Sequence, residues 1–234
     1  NAMLPFSFFD AHCDTLSCCS HLGWDLCSSP GHTDLERGAQ FQHYAQVFAI
    51  FHDADRAPSD GMFAECCRQA EEFFAQMKRN AALVAPCRTA ADLEQTERAG
   101  KCAAILSIEG ADLLECDPAR LETAAQWGVR LINLTWNRAN ALSGSHLEEP
   151  ERGLSAQGRD FVRCAQSLGI LMDVSHLSDA GFWDLMDWTE KPVVASHSDA
   201  RALCPNTRNL TDEMFRAICN TGGFAGLSAA FSGI

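Results

Sequence analysis

The chain has 234 residues, with 18 Lys and Arg against 31 Asp and Glu, for a formal net charge of −13. That length allows one large domain with a sizeable core, or two small ones. The acidic balance argues against nucleic acid or an anionic membrane as a partner, and no apolar run approaches the ~18 residues of a membrane span.

The start, Asn1-Ala2-Met3, reads as a two-residue tag remnant ahead of a native Met3. With no signal peptide in view, a cytoplasmic location is expected. The twelve cysteines are scattered and form no Cys-x-x-Cys pair. They read as reduced, mostly buried thiols, with a zinc-thiolate site as the alternative.

Residues 6–10 form a first short apolar strand, stopped at Asp10-Ala11-His12-Cys13-Asp14. In an extended strand, positions i and i+2 share a face, about 7 Å apart at ~3.3 Å per residue. His12 and Asp14 would then project together, as two ligands of one metal or as a plain hydrogen-bonded pair. A polar, glycine-containing stretch leads to a buried strand at 44–51. Residues 59–83 read as a long helix. Met62, Cys66, Ala70, Phe73 or Phe74, and Met77 line its apolar face, with Glu65, Arg68, Glu71 and Lys78 opposite.

A second helix at 89–99 ends at Gly100. A strand at 102–108 stops at Glu109-Gly110. A helix at 118–127, with Asp117 as its N-cap, precedes a strand at 130–135. A helix at 155–168 precedes a strand at 170–174, stopped at Ser175-His176. A helix at 178–187 precedes a strand at 192–195, stopped at Ser196-His197. A last helix at 211–220 leads to a seventh strand at 223–227.

Short apolar strands alternating with helices indicate a parallel sheet. An open doubly wound sheet and a (β/α)8 barrel both fit that alternation. No Gly-x-Gly-x-x-Gly turn follows the first strand, which removes the usual mark of the dinucleotide fold. Barrel enzymes keep their chemistry at the carboxyl ends of several strands. Here four such ends offer His12 and Asp14, Glu109, His176 and His197. Each alone is compatible with an ordinary loop histidine or helix-start carboxylate. Together, three histidines and two carboxylates suit a two-zinc hydrolytic site, with one carboxylate bridging the ions and a shared hydroxide as nucleophile.

The motifs extend over the whole chain: Asp10-Ala11-His12-Cys13-Asp14; Thr33-Asp34-Leu35 through Gly38 and Gln40; Ser107-Ile108-Glu109-Gly110; Gly128-Val129-Arg130 with Leu134-Thr135; Asp173-Val174-Ser175-His176; and Ser196-His197-Ser198-Asp199-Ala200-Arg201 through Arg208-Asn209. In this order they resemble the membrane (renal) dipeptidase family of amidohydrolase-like barrels. The resemblance implies a TIM-type (β/α)8 barrel over residues 1–234. It also implies two zinc ions, with His12 and Asp14 on one, His176 and His197 on the other, and Glu109 bridging as the catalytic carboxylate.

It further implies that Arg208 grips the carboxylate of a small dipeptide substrate, with Trp136 and Asn137 at the substrate side. Trp136 stands where the renal enzyme has a histidine. The family's eighth strand and its acid/base aspartate match no residue here, so a native chain longer by a strand-helix unit is expected. Hydrolysis of an N-acyl amino acid or lactam, and a non-catalytic metal-binding barrel, are the alternatives. A homodimer is compatible with all of them.

Overall fold

The computed structural model describes residues 4–229, so the expected tag remnant lies outside the described residues. The elements run β1 (Phe8–Cys13), α1 (Thr15–Leu22), α2 (Leu35–Gly38), β2 (Tyr44–Phe51), α3 (Met62–Arg79), β3 (Val84–Pro86), α4 (Ala90–Arg98) and β4 (Cys102–Glu109). They continue through α5 (Arg120–Trp127), β5 (Val129–Asn133), α6 (Ala156–Ser167), β6 (Leu171–Asp173), α7 (Asp179–Met186), β7 (Val193–Val194) and α8 (Asp212–Asn220). The strand order is β1-β2-β4-β5-β6-β7, with β3 against β4. The pairs β1–β2, β3–β4, β5–β6 and β6–β7 are parallel. This is an incomplete TIM-type α/β barrel, as the polar residues at the strand ends and the family resemblance predict.

The chain divides into two compact units, one built from the residues up to 107 with 126–130, the other from 108–125 with those from 131 on. In the first, the buried side chains of Leu16, Leu26, Val47, Phe48, Ile50 and Phe73 form the core. In the second, Leu113, Leu114, Phe161, Met172, Phe182 and Leu185 do so. No described helix is long and apolar enough to cross a membrane.

Several expectations change. The stretch after the first strand is helical at α1 and α2, and the short strand β3 was not foreseen. The seventh strand expected at 223–227 is reduced to one bridge, Ala195 to Ala225. Ala195 N donates to Phe224 O and Gly226 N donates to Ala195 O, so the pairing spans one residue, and Gly223 and Gly226 weaken a strand there. All twelve cysteines are free thiols, but only Cys19, Cys66, Cys87, Cys102 and Cys116 are buried, so "mostly buried" was too strong.

Helix α3 corrects a further point. Glu65, expected on the exposed face, is 3% exposed, and Gln69 and Gln76 are buried beside it. It lies next to Cys66 on the inward stripe, where Arg68, Gln69 and His21 hydrogen-bond its carboxylate. Partners of this kind make a buried charge tolerable.

The Thr33-Asp34-Leu35 motif is explained by α2. Asp34 is its N-cap, accepting from Arg37 N at 2.8 Å, and its other oxygen takes Ser29 N and the Arg37 guanidinium. At Gly38, four residues on, a Cβ would strike the Tyr44 ring. Burial alone would raise the Asp34 pKa, but the hydrogen bonds from Arg37 and Ser29 outweigh it and hold the carboxyl below its usual value.

Asp34→Ala should cost about 1–2 kcal/mol at pH 7, as loss of an N-cap does. With the folded pKa below the unfolded ~3.9, this contribution is present above pH ~4 and lost as pH falls through the folded value. Urea melts of parent and variant should therefore diverge at pH 7 and converge in strong acid.

Candidate metal centre

In the first unit, β1 runs further than expected, so His12 lies within the strand and Asp14 just beyond it. The register with β2 slips between Asp10 and Cys13, where Asp10 Oδ1 accepts from His12 N at 3.2 Å. Asp14 is not extended: at φ −95°, ψ 12° it is the N-cap position of α1. The simple i, i+2 argument therefore fails in detail, yet the two side chains still converge, with His12 Nε2 3.3 Å from Asp14 Oδ1.

In the second unit, three of the expected ligands meet. Glu109 is the last residue of β4, and His176 and His197 each follow their strand by three residues. Glu109 Oε1 is 3.0 Å from His176 Nε2 and 3.2 Å from His197 Nε2, and the two nitrogens are 3.1 Å apart. Glu109 is 3% exposed. His176 adopts φ +71°, a left-handed backbone that costs a non-glycine residue energy and recurs at functional sites. Its carbonyl is held there by His146 N at 2.9 Å and by Thr135 Oγ1.

The loops carrying the two histidines are tied through Asp173. Its Oδ1 accepts from Ser175 N and Ser196 N, both at 3.0 Å. Ser175 Oγ contacts Ser198 Oγ at 3.0 Å and accepts from His197 N at 3.1 Å. Past His197, Arg201 forms a bidentate pair with Asp179 and donates to Asn209 O and Thr207 O, which folds the 201–210 loop back. That loop half-buries Arg208, whose guanidinium donates to Ser198 Oγ at 2.7 Å and His197 O at 2.6 Å. Burial lowers the Arg208 pKa, opposed by the charges of Glu109, Asp173 and Asp199.

Asn137 stands behind His176 and orients it, with Oδ1 3.0 Å from His176 Nδ1. The same oxygen is 3.0 Å from His146 Nε2. Trp136 lies 6.2 Å from His176, ring centre to ring centre. His146 escaped the sequence reading because it sits in a polar loop with no apolar run before it. Its ring is 5.7 Å from that of His176. Burial first, then the charge of Arg208, pushes its pKa down to about 4, so it is neutral at pH 7.

The arrangement suits a metal ion. An amide oxygen only accepts, so His176 Nδ1 carries the proton and its Nε2 presents a lone pair. Burial, the leading cause, drives the His176 pKa down to about 4, which keeps that lone pair available at neutral pH. The three ligand atoms are spaced at 3.0–3.2 Å. A tetrahedral ion with bonds of ~2.0–2.1 Å needs edges of about 3.3 Å. Imidazole and carboxylate together suit a divalent transition ion, and the Asn137–His176 contact is the usual outer support.

Because Asp173 takes two buried N–H groups, Asp173→Ala strands both. A loss of about 2–4 kcal/mol in urea unfolding is expected, with Asp173→Asn, which keeps one acceptor oxygen, losing less.

The model of the membrane dipeptidase family, peptidase family M19, matches residues 2–232. An uncharacterized protein in the PQQ-III 3′ region of Acinetobacter calcoaceticus is 29% identical over 220 residues, covering 85% of this chain and 70% of that protein. Dipeptidase tcpJ of Claviceps purpurea is 29% identical over 207 residues, covering 85% of this chain, which spans 49% of that relative. The metallo peptidase from Rhodobacter sphaeroides, solved with a phosphinate mimic of the dipeptide L-Ala-D-Ala, superposes with a TM-score of 0.87 at 25% identity, covering 98% of this chain and 76% of that one. With the family model matching nearly end to end and the expected ligand types at the ends of β1, β4, β6 and β7, the chain belongs to the membrane dipeptidase family, peptidase family M19.

Proposed function

We propose that this chain carries the site of a zinc-dependent dipeptidase. The observation that carries the reading is the convergence of Glu109 Oε1, His176 Nε2 and His197 Nε2 within 3.2 Å of one another. Two divalent ions complete the site. Glu109, His176 and His197 would hold one, and His12 and Asp14 would hold the other. When bound, such ions polarise a scissile carbonyl and lower the pKa of water.

The side chains supply binding and orientation. Asn137 fixes the His176 ring. Arg208, held by a neutral hydroxyl and a neutral carbonyl, keeps charge to offer the carboxylate of a dipeptide, which its planar fork matches in two hydrogen bonds. Trp136 forms an apolar wall at the substrate side, and His146, neutral at pH 7, offers a polar contact there. Small dipeptides, including those with a C-terminal D-residue, fit this set. The ligand of the Rhodobacter structure, a mimic of such a dipeptide, supports that substrate class.

The direct test is hydrolysis of Ala-Ala and Ala-D-Ala by the zinc-supplemented protein, against its Glu109→Gln variant. Turnover by the parent and at least ~100-fold less by the variant is expected, since removing an electrostatic stabiliser costs about that much. Cleavage of N-acetyl-alanine without cleavage of either dipeptide would overturn the reading.

Arg208→Lys keeps the charge but loses the fork. It should raise KM for free dipeptides and leave C-terminally amidated ones nearly unchanged. Equal losses on both would exclude carboxylate recognition by Arg208.

A further inference from the structure

A second cluster of metal-ligating side chains lies in the first unit and shares no residue with the site proposed above. His21 on α1, His52 just after β2 and Glu65 on α3 place one ligand atom each within 4.8 Å of the others. His21 Nε2 is 2.6 Å from Glu65 Oε1, and His52 Nδ1 is 4.0 Å from the same oxygen. The two rings meet edge-on, 5.5 Å between centres.

The hydrogen bonds around the cluster decide its chemistry. His52 Nε2 lies 2.9 Å from the carbonyl of Arg56. A carbonyl only accepts, so Nε2 carries the proton and Nδ1 of the neutral ring is a lone pair. That lone pair looks across 4.0 Å at a carboxylate oxygen, a spacing that a shared cation satisfies and a direct hydrogen bond does not. Glu65 is 3% exposed and rigidly held: Arg68 grips Oε2 from Nε and Nη2, and Gln69 Nε2 donates to Oε1 at 2.7 Å. Carbonyl, amide and guanidinium contacts of this kind are the outer support that fixes metal ligands. Arg68 also pairs with Asp60 at 2.6 Å, so Glu65, Arg68 and Asp60 together keep one net negative charge.

We infer that His21 Nε2, His52 Nδ1 and Glu65 Oε1 form a second-location site for one divalent transition ion, zinc above all. Two imidazoles and a carboxylate are a known three-ligand zinc set, with water in the fourth position. The His21 side chain is 41% exposed, which leaves that position open to solvent. Zinc edges of about 3.3 Å need the 2.6 Å contact to open and the 4.0 Å gap to close, each by well under 1 Å. Binding displaces the proton that His21 Nε2 shares with Glu65. The ion would fasten α1, which starts directly after Asp14, to α3 and the end of β2.

The test is metal stoichiometry on the full chain, stripped with chelator and titrated with zinc by equilibrium dialysis. It is run in a His176→Ala/His197→Ala background, so that the outcome does not depend on the dipeptidase reading. That background should still lose one ion per chain when His21→Ala and His52→Ala are added. Identical zinc content with and without those two substitutions would overturn the site and leave only a His21–Glu65 ion pair.

Imidazole nitrogen NMR of the parent chain gives a second readout that needs no variant at these positions. Zinc should shift His52 Nδ1 and leave its Nε2 protonated. An unmoved His52 Nδ1 at saturating zinc would likewise overturn it.

Discussion

Two backbone N–H groups, from Ser175 and Ser196, converge on one carboxylate oxygen of Asp173, and the site of this chain depends on that junction. Asp173 ends β6, and the two serines directly precede His176 and His197. Inside a protein the two hydrogen bonds are charge-assisted and stronger than neutral ones. They set two loops in register, so two imidazoles arrive within 3.1 Å of each other, beside Glu109. The left-handed turn at His176 is the local cost, and the carbonyl contacts of His146 and Thr135 offset it.

Around this junction the polar groups form chains. Asn137 connects the rings of His176 and His146 through one amide oxygen. Ser198 connects Ser175 to Arg208. Buried polar networks rigidify a site when each member has a partner. Trp136 and His146, ten residues apart in the chain, both bring their rings to His176.

The first unit handles charge in a similar way. Helix α3 turns a mixed stripe inward, where Phe73 and Met77 pack as core while Glu65 hydrogen-bonds to α1, Gln69 to the end of β2 and Gln76 to the segment after α1. Gln76, for example, meets Leu26 N and Trp24 O, fixing an irregular segment that has no ladder of its own. Backbone groups in such a segment must find partners if buried, and a glutamine offers both a donor and an acceptor.

Much of the fold was legible in the sequence for identifiable reasons. The strand at Tyr44–Phe51 and the helix starts at Thr89, Ser155, Ser178 and Thr211 are local signals, carried by apolar runs and by side chains that bond the backbone three residues on. His12, Asp14, Glu109, His176 and His197 stood out as well, because each interrupts or follows an apolar run, and the structure brings His12 to Asp14 and Glu109 to His176 and His197. Whether α3 buries Glu65 was not, since that depends on His21 arriving from another helix. Nor was His146, whose proximity to His176 rests on a loop closed by Ser145 and Glu148. Residues 223–227 have strand-like composition but make a single bridge. Local sequence determined which residues could serve as ligands and where elements begin. Their meeting at hydrogen-bond distance depends on non-local contacts such as Asp173 with Ser196, and those exist only once the strands are paired.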